Sequence, residues 1–377
     1  MPRTRRLLVS AVAAFGAIAV ALASAQTAPA AALTSADAQF VDQTVTQTMQ
    51  AQRLPGLTLR ISGPQGTYEK SYGLGDTAAA VPFAADDHVR IASITKTFTA
   101  TAVLQQVRAG RLSLGDRLSR YVKGVPNGRR ITIRQLLAMR SGLYDYTSDP
   151  AFNRRFEADP TMAWSPQDAL AIVRRHKPVF APGARTQYAD SNYVLLGLIL
   201  EKVTGRSVQS LITNGIIRPL GLTQTSFPTT PPLPTPFAHG YYAGPDSMAA
   251  TITDVTAINP TVAWTAGAMV STIGDLQTWG RELLRGALIG RKLQRERLRL
   301  GTIPNNGPPV GYGLGILRFG DWLGHDGAIF GFSSETFQDR TTGAQIVVVT
   351  NLSSNSTTPS MAIFGAIAQH LYPASLE

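Results

Sequence analysis

Strand-like segments near both ends of the chain, with helix-period segments between them, predict an α+β protein: an antiparallel sheet built from the two termini, flanked by helices, with a mostly helical insertion. Three observations carry this. Residues 56–72 alternate apolar and polar side chains around a turn, residues 131–203 hold apolar residues at helical spacing, and strand patterns return from residue 311 onward. The sheet part is expected at about residues 33–92 and 311–373, and the mostly helical part at about 93–310.

Residues 35–49 begin with Ser/Asp starters and place Phe40, Val41, Val45 and Met49 on one face, which predicts an N-terminal helix. Gly56 to Ser62 and Thr67 to Tyr72 read as two strands around the turn Gly63-Pro64-Gln65-Gly66. From Ile94 to Gly110 the chain is apolar nearly all round, the pattern of a buried helix ended by glycine. Helix-period residues recur at 131–139, 166–175 and 193–203, and Gly205 stands where a left-handed cap is expected. Residues 227–237, FPTTPPLPTPF, read as an extended loop. Strands follow at 312–317, 329–337 and 345–352, with Thr341-Thr342-Gly343 as a hairpin turn, and a helix over about 360–371 closes the chain.

Length and composition bound the function. The 377 residues are 44% apolar and 16% charged, a globular balance with enough chain for a large core. Arg3, Arg5 and Arg6 precede an apolar stretch from Leu7 to about Leu22 and the small residues Ala23-Ser24-Ala25, so residues 1–25 read as a signal peptide. A single membrane anchor is the alternative reading of that stretch. The expected location is therefore secreted or extracytoplasmic, in the cell envelope, with no transmembrane segment in the mature chain. The absence of cysteine excludes disulfides, thiolate metal sites and a cysteine nucleophile. A net charge of +11 includes the three leader arginines, and the remaining basic residues form no stripe with interleaved aromatics, which argues against a nucleic-acid partner.

Ser93 falls at the first turn of the buried helix, three residues before Lys96. Residues i and i+3 share a helix face, so the hydroxyl and the ammonium can touch at the positive end of the helix dipole. Desolvation there lowers a lysine pKa from about 10.4 toward the range in which it accepts a proton, giving the serine a base without a histidine. The competing reading is that Ser93 is an ordinary N-cap.

Two further segments join this pair. Tyr188-Ala189-Asp190 precedes the helix VLLGLILEKVTG, and His325-Asp326-Gly327-Ala328 begins a strand near the carboxyl end. In this order S-x-x-K, Y-x-D and H-x-G resemble the three signatures of the penicillin-recognising serine hydrolases, the serine D-alanyl-D-alanine carboxypeptidases and class C β-lactamases. ITIRQLLAMRSGLYDYT at 131–147, APG at 181–183, AGAMVST at 266–272 and YGLG at 312–315 extend the resemblance over nearly the whole mature chain, about 33–373. It implies the β-lactamase/transpeptidase-like fold, with Ser93 as nucleophile, Lys96 as neighbouring base, Tyr188 as proton relay and His325 in place of the third-motif lysine. It also implies an oxyanion hole from the backbone N–H groups of Ser93 and Ala328, and no cofactor or metal. Gly327 fits a strand edge that must admit a substrate backbone. Tyr144 and Tyr146 are candidates for the cleft mouth or for simple surface packing.

The sequence departs from the family pattern where the substrate is read. Asp190 stands where the second motif usually has Asn; a helix cap is one role for it, acceptance of a hydrogen bond from Lys96 another. Asp326 occupies the middle of H-x-G, where the carboxypeptidase has a threonine that helps hold a terminal carboxylate. The arginine expected after YGLG is missing at Leu317, and Arg318 falls on the opposite strand face. The activity expected first is a D-alanyl-D-alanine carboxypeptidase-like hydrolysis of peptidoglycan peptides by a monomer acting on small peptides or esters. The alternatives are an esterase or D-amino-acid-specific peptidase or amidase, a class C β-lactamase, and a cell-wall or β-lactam binding module without turnover.

Overall fold

The computed structural model describes residues 31–244, 252–305, 307–354 and 358–377. The predicted leader lies outside them. Among the described residues, no helix is long and apolar enough to cross a membrane.

The sheet has nine strands: β1 (Gly56–Gly63), β2 (Gly66–Asp76), β3 (Val81–Pro82), β4 (Gly301–Ile303), β5 (Val310–Tyr312), β6 (Leu317–Phe319), β7 (Trp322–Ile329), β8 (Phe332–Asp339) and β9 (Gln345–Thr350). Their spatial order is β3-β2-β1-β9-β8-β7-β6-β5-β4, antiparallel throughout. The two chain ends thus meet at β1 and β9, where Leu57 pairs with Thr350 and Ile61 with Ile346. The β9 sequence QIVVVT is buried at every residue because both faces of this central strand are covered. Against one face lie α1 (Ser35–Gln52) and the C-terminal helix Pro359–Leu371, which bury Val41, Val45, Ile363, Phe364 and Ile367 with Trp322 and Phe337. The other face carries the helical part and the larger core, centred on α2 (Thr95–Arg108), α4 (Pro166–Arg175), α5 (Ser191–Thr204) and α6 (Ile273–Arg285), while α3 (Pro150–Ala158) buries Phe152 and Phe156 in a smaller cluster with Tyr146 and Trp164.

Local chemistry accounts for these boundaries. Thr34 caps α1 by accepting from the N–H of Asp37; Ser165 and Asp168 form a reciprocal capping box at α4, and Gly205, at φ 66°, ends α5. The hairpin turn over 341–343 and the helices at 166–175 and 193–203 fall close to where the sequence puts them.

Two strand expectations need correction. YGLG is not the interior of a strand: Tyr312 ends β5 and Leu317 starts β6, with a tight reversal between them. Gly315 makes that reversal at φ +73°, and a Cβ there would lie 2.1 Å from the Cβ of Ala100 on α2. The strand expected from residue 329 is also displaced. β7 ends at Ile329 and β8 starts at Phe332, because Gly331, at φ +92°, turns the chain between them.

Candidate active site

Ser93 lies in a short 3-10 turn, Ala92–Ile94, that leads into α2. The preceding Ala92 has φ 46°, a left-handed conformation costing a residue with a Cβ roughly 1–3 kcal/mol. Neighbours hold it in place. Ile91 donates its N–H to Met269 O at 3.0 Å and Met269 donates to Thr95 Oγ1 at 3.1 Å, so the segment 266–271 clamps the turn from one side. β7 clamps it from the other: a Cβ on Gly327 would lie 2.5 Å from Ile91 O and 3.2 Å from the Ala92 Cβ. Gly327 is therefore required by the contact between strand and nucleophile turn, a constraint separate from any admission of substrate.

Lys96 is fully buried one turn along, and its Nζ meets three acceptors: Ser93 Oγ at 2.8 Å, the backbone oxygen of Ala266 at 2.7 Å and Asp190 Oδ1 at 2.6 Å. Three acceptors match the three N–H donors of an ammonium, and one of them is a carboxylate. This is the environment of a charged lysine rather than of the desolvated amine that helix burial alone implies. Asp190 precedes α5, yet its side chain makes no capping hydrogen bond; it serves Lys96 instead.

Tyr188 donates its hydroxyl to Ser93 Oγ at 2.8 Å, and its ring lies 4.8 Å from Lys96 Nζ. Loss of solvation around the phenol oxygen, followed by the charges of Asp190 and Asp326, raises its pKa well above 10, so it rests as a neutral donor although part of the residue is exposed. Ser93, Lys96, Tyr188 and Asp190, separated by as many as 97 residues in sequence, thus converge on one oxygen and its neighbour.

His325 does not reach Ser93 by any hydrogen bond among the described residues. It is buried on β7, with Nε2 2.9 Å from Tyr312 OH and Nδ1 2.6 Å from Asp326 O and 3.2 Å from Asp326 Oδ1. Its ring centroid is 6.2 Å from that of Tyr188, so with Tyr312 it forms the wall behind the phenol. Burial by itself would raise the Asp326 pKa, but the hydrogen bond and charge of His325 and the charge of Lys96 bring it below the usual value. The third motif therefore presents a carboxylate near the cleft. Leu317 pairs with Tyr312 and Gly324, and Arg318 turns its Nε to Gly320 O at 2.7 Å.

Beside Ser93 opens a cavity of about 430 Å³. Ala92, Ser93, Asp190, Ala266 and Ala328 form its floor, and Phe152, Phe156, Ile258, Val262, Ile329 and Phe330 form an apolar wall with Asn153 and Glu157 at α3. Asp149 anchors that wall: it caps α3 through the N–H groups of Ala151 and Phe152 and holds Arg175 at 2.8 Å and His176 at 2.9 Å. Tyr146 lines the cavity. Tyr144 does not, stacking instead on His176 with centroids 3.8 Å apart and donating its hydroxyl to Ser148 O.

Sequence reasoning missed two members of the site. Ala266 acts through its carbonyl, so no side chain advertises it, although AGAMVST is the stretch that supplies it. Asp145, in SGLYDYT, accepts the N–H of Asp190 at 3.1 Å, a contact with no signature in local spacing.

Residues 41–369 match the profile of the beta-lactamase family. The chain belongs to that family. It is a serine hydrolase of the beta-lactamase fold, among the penicillin-recognising serine hydrolases. The crystal structure of a D-stereospecific amidohydrolase from Streptomyces sp. is 33% identical, with a TM-score of 0.77 over 88% of this chain and 98% of that one. A D-amino acid amidase from Ochrobactrum anthropi, crystallised with L-phenylalanine, is 26% identical, with a TM-score of 0.77 over 89% and 98%. Among curated relatives, Protein flp of Staphylococcus aureus (strain N315) is 36% identical over 208 residues, 52% of this chain and 40% of that protein. A putative D-alanyl-D-alanine carboxypeptidase of Escherichia coli (strain K12) is 31% identical over 143 residues, 36% of this chain and 33% of that protein. The chain thus spans well under two thirds of the curated relatives it matches.

Proposed function

We propose that this serine hydrolase cleaves amides, short peptides or esters of D-configured amino acids through an acyl-enzyme on Ser93, without requiring a terminal carboxylate on the substrate. The observation that carries the nucleophile is the Ser93 Oγ, 2.8 Å from both Lys96 Nζ and Tyr188 OH at the floor of an open cavity. Attack by Oγ on the scissile carbonyl carbon forms the acyl ester, the leaving nitrogen or oxygen takes a proton through Tyr188, and water enters by the same route to release the acid. The N–H groups of Ser93 and Ala328 form the oxyanion hole, each donor contributing roughly 3–4 kcal/mol to the transition state. Ala328 is exposed and lines the cavity, and among the described residues the half of β7 beyond Gly324 has no strand on its far side, which supports that role.

The substrate class rests on charge. Asp326 is held ionised, Leu317 replaces the clamp arginine, and Arg318 is engaged on Gly320, so a substrate carboxylate would meet a negative wall. The cavity that Ser93 and Ala328 share with Phe152, Phe156 and Phe330 is not lined by Tyr188 or His325, and so suits the side chain of the acyl residue. By their names, the Streptomyces protein is a D-stereospecific amidohydrolase and the Ochrobactrum protein a D-amino acid amidase. The E. coli relative's name favours a second reading, carboxypeptidase action on D-Ala-D-Ala stem peptides. We further propose export to the cell envelope on the strength of the leader sequence. The test is a comparison of D-phenylalanine amide, its L isomer, a D-Ala-D-Ala peptide, a short nitrophenyl ester and nitrocefin. Turnover of the D-amide is expected; release of D-alanine from the peptide with no action on the amide would refute the amide reading.

A further inference from the structure

Both groups that touch Ser93 Oγ are donors at rest: Lys96 as an ammonium with three acceptors, Tyr188 as a neutral phenol. Neither can take the serine proton until one of them loses its own. The nearest place for the Lys96 proton is Asp190 Oδ1, 2.6 Å away, in the position where family members usually carry an amide. Behind Asp190 stands a second carboxyl. Asp145 Oδ1 accepts the Asp190 N–H at 3.1 Å and lies in the segment that closes on the start of α5, where Tyr146 N donates to Ser191 Oγ and Ser191 Oγ to Tyr144 O.

We propose that Asp145 is a positioning residue for serine activation: its carboxylate, set beside Asp190, drives the proton of the Lys96 ammonium onto Asp190 and so frees the amine to take the proton of Ser93. The inference rests on the reading of Ser93 as nucleophile. The electrostatics follow from order in space, since Asp145 adjoins Asp190 and Lys96 lies beyond it. With Asp145 ionised, the state with Asp190 charged suffers repulsion that exceeds the attraction Asp145 gains from the more distant Lys96. Moving the proton from Nζ to Oδ1 neutralises both partners and removes the repulsion. With Asp145 protonated there is no such drive, and Lys96 stays locked as an ammonium.

The protons balance. The Lys96 Nζ–H bond breaks as Asp190 Oδ1–H forms; the Ser93 Oγ–H bond then breaks as Nζ–H reforms, while the Oγ electron pair bonds the substrate carbonyl carbon. As the leaving group departs, it receives the proton Lys96 had taken, with Tyr188 between them, and Asp190 returns its own proton to Lys96. Burial, and then the charge of Asp190, push the Asp145 carboxyl up to about 7, outweighing the Thr147 hydroxyl and the N–H donors of Asp190 and Thr147. The other titratable groups around it are Tyr146 and Tyr144 in its own segment, His176 stacked on Tyr144 after α4, and Lys96 on α2 behind Asp190.

The experiment is the rate at which a fluorophosphonate labels Ser93 between pH 5.5 and 8.5, which reads activation of the serine whatever the natural substrate. Wild type should gain about tenfold from pH 6 to pH 8, as one group with a midpoint near 7 ionises. Asp145→Asn keeps the Oδ1 acceptor and should lose the rise, staying at the slow, low-pH rate. Asp190→Asn should do the same, and each variant's melting temperature checks that it is folded at every pH. His325 is present in all three proteins, so the difference between profiles isolates the carboxyl pair. A flat wild-type profile, or a rise kept in either variant, overturns the proposal. Wild type that is never labelled overturns the nucleophile assignment itself, and this inference with it.

Discussion

Gly327→Ala tests how the nucleophile turn is held. A Cβ at this position would come within 2.5 Å of Ile91 O, 3.0 Å of Ser334 Oγ and 3.2 Å of the Ala92 Cβ. The first contact is with backbone that already donates its N–H to Met269 O and leads into the left-handed Ala92, so it has little room to yield. Relief requires β7 or the Ile91–Ser93 turn to shift by several tenths of an ångström. Overpacking of this kind costs about 1–3 kcal/mol, and a displaced nucleophile lowers kcat by up to about 100-fold. The assay is thermal unfolding together with kcat and KM on the preferred ester or amide. The expected result is a lower Tm and a reduced kcat. An alanine variant with wild-type Tm and kcat would refute the close-contact reasoning, while wild-type stability with a raised KM would restore the view that the glycine only admits substrate.

Gly365 sits inside the C-terminal helix with nothing within 4 Å of a Cβ placed there, so Gly365→Ala should stabilise by about 0.5–1 kcal/mol, measured by denaturant unfolding. Glu335 is fully buried, its Oε1 accepts from Ser360 Oγ, and its Oε2 has no hydrogen-bond partner among the described residues. Burial, then the charge of Asp326, raise its pKa well above 4.5, so the folded state keeps a proton that the unfolded chain releases. Stability from this group is whole below pH 4.5 and falls as pH rises, by about 1.4 kcal/mol for each pH unit over which it stays protonated; Glu335→Gln should therefore gain Tm relative to wild type on going from pH 5 to pH 8. Asp149 behaves in the opposite sense. Burial would raise its pKa, but Arg175, the Phe152 N–H and His176 together hold it well below 3.8, so its contribution is present above that value and lost as pH falls. Asp149→Asn should cost about 1–3 kcal/mol at pH 7 and less at pH 3, and the loosened α3 wall should raise KM more than it lowers kcat.

The parts of the site that were legible in the sequence are those that repeat a local rule. Ser93 and Lys96 share one turn and could be paired by spacing alone, and the buried helix behind them announced itself by apolar residues on every face. The hairpin of β1 and β2, the helical spacing of α4 and the glycine-capped end of α5 were legible for the same reason. Asp190 was ambiguous because a carboxylate before a helix satisfies capping chemistry as well as an ion pair, and only the position of Lys96 decides between them. Asp145 acts across 45 residues through the backbone N–H of Asp190, which no periodicity can encode. The reversals at Gly315 and Gly331 were misplaced because YGLG and AIFGFSS alternate like strands, while the requirement for glycine comes from α2 in one case and from the backbone around Gly240 in the other. Tyr144 and Tyr146 are chemically alike in sequence; one faces His176 and the other the cavity because they lie two residues apart in a turn rather than on one strand face.

The most direct measurement is mass spectrometry of the protein quenched during turnover of a slowly deacylating D-phenylalanine ester, for wild type, Lys96→Ala and Tyr188→Phe. Wild type should carry a covalent acyl adduct on the peptide containing Ser93, Lys96→Ala should carry none, and in Tyr188→Phe the adduct should form and decay more slowly. Hydrolysis without any adduct on Ser93, or an adduct that forms at the wild-type rate in Lys96→Ala, would contradict this mechanism.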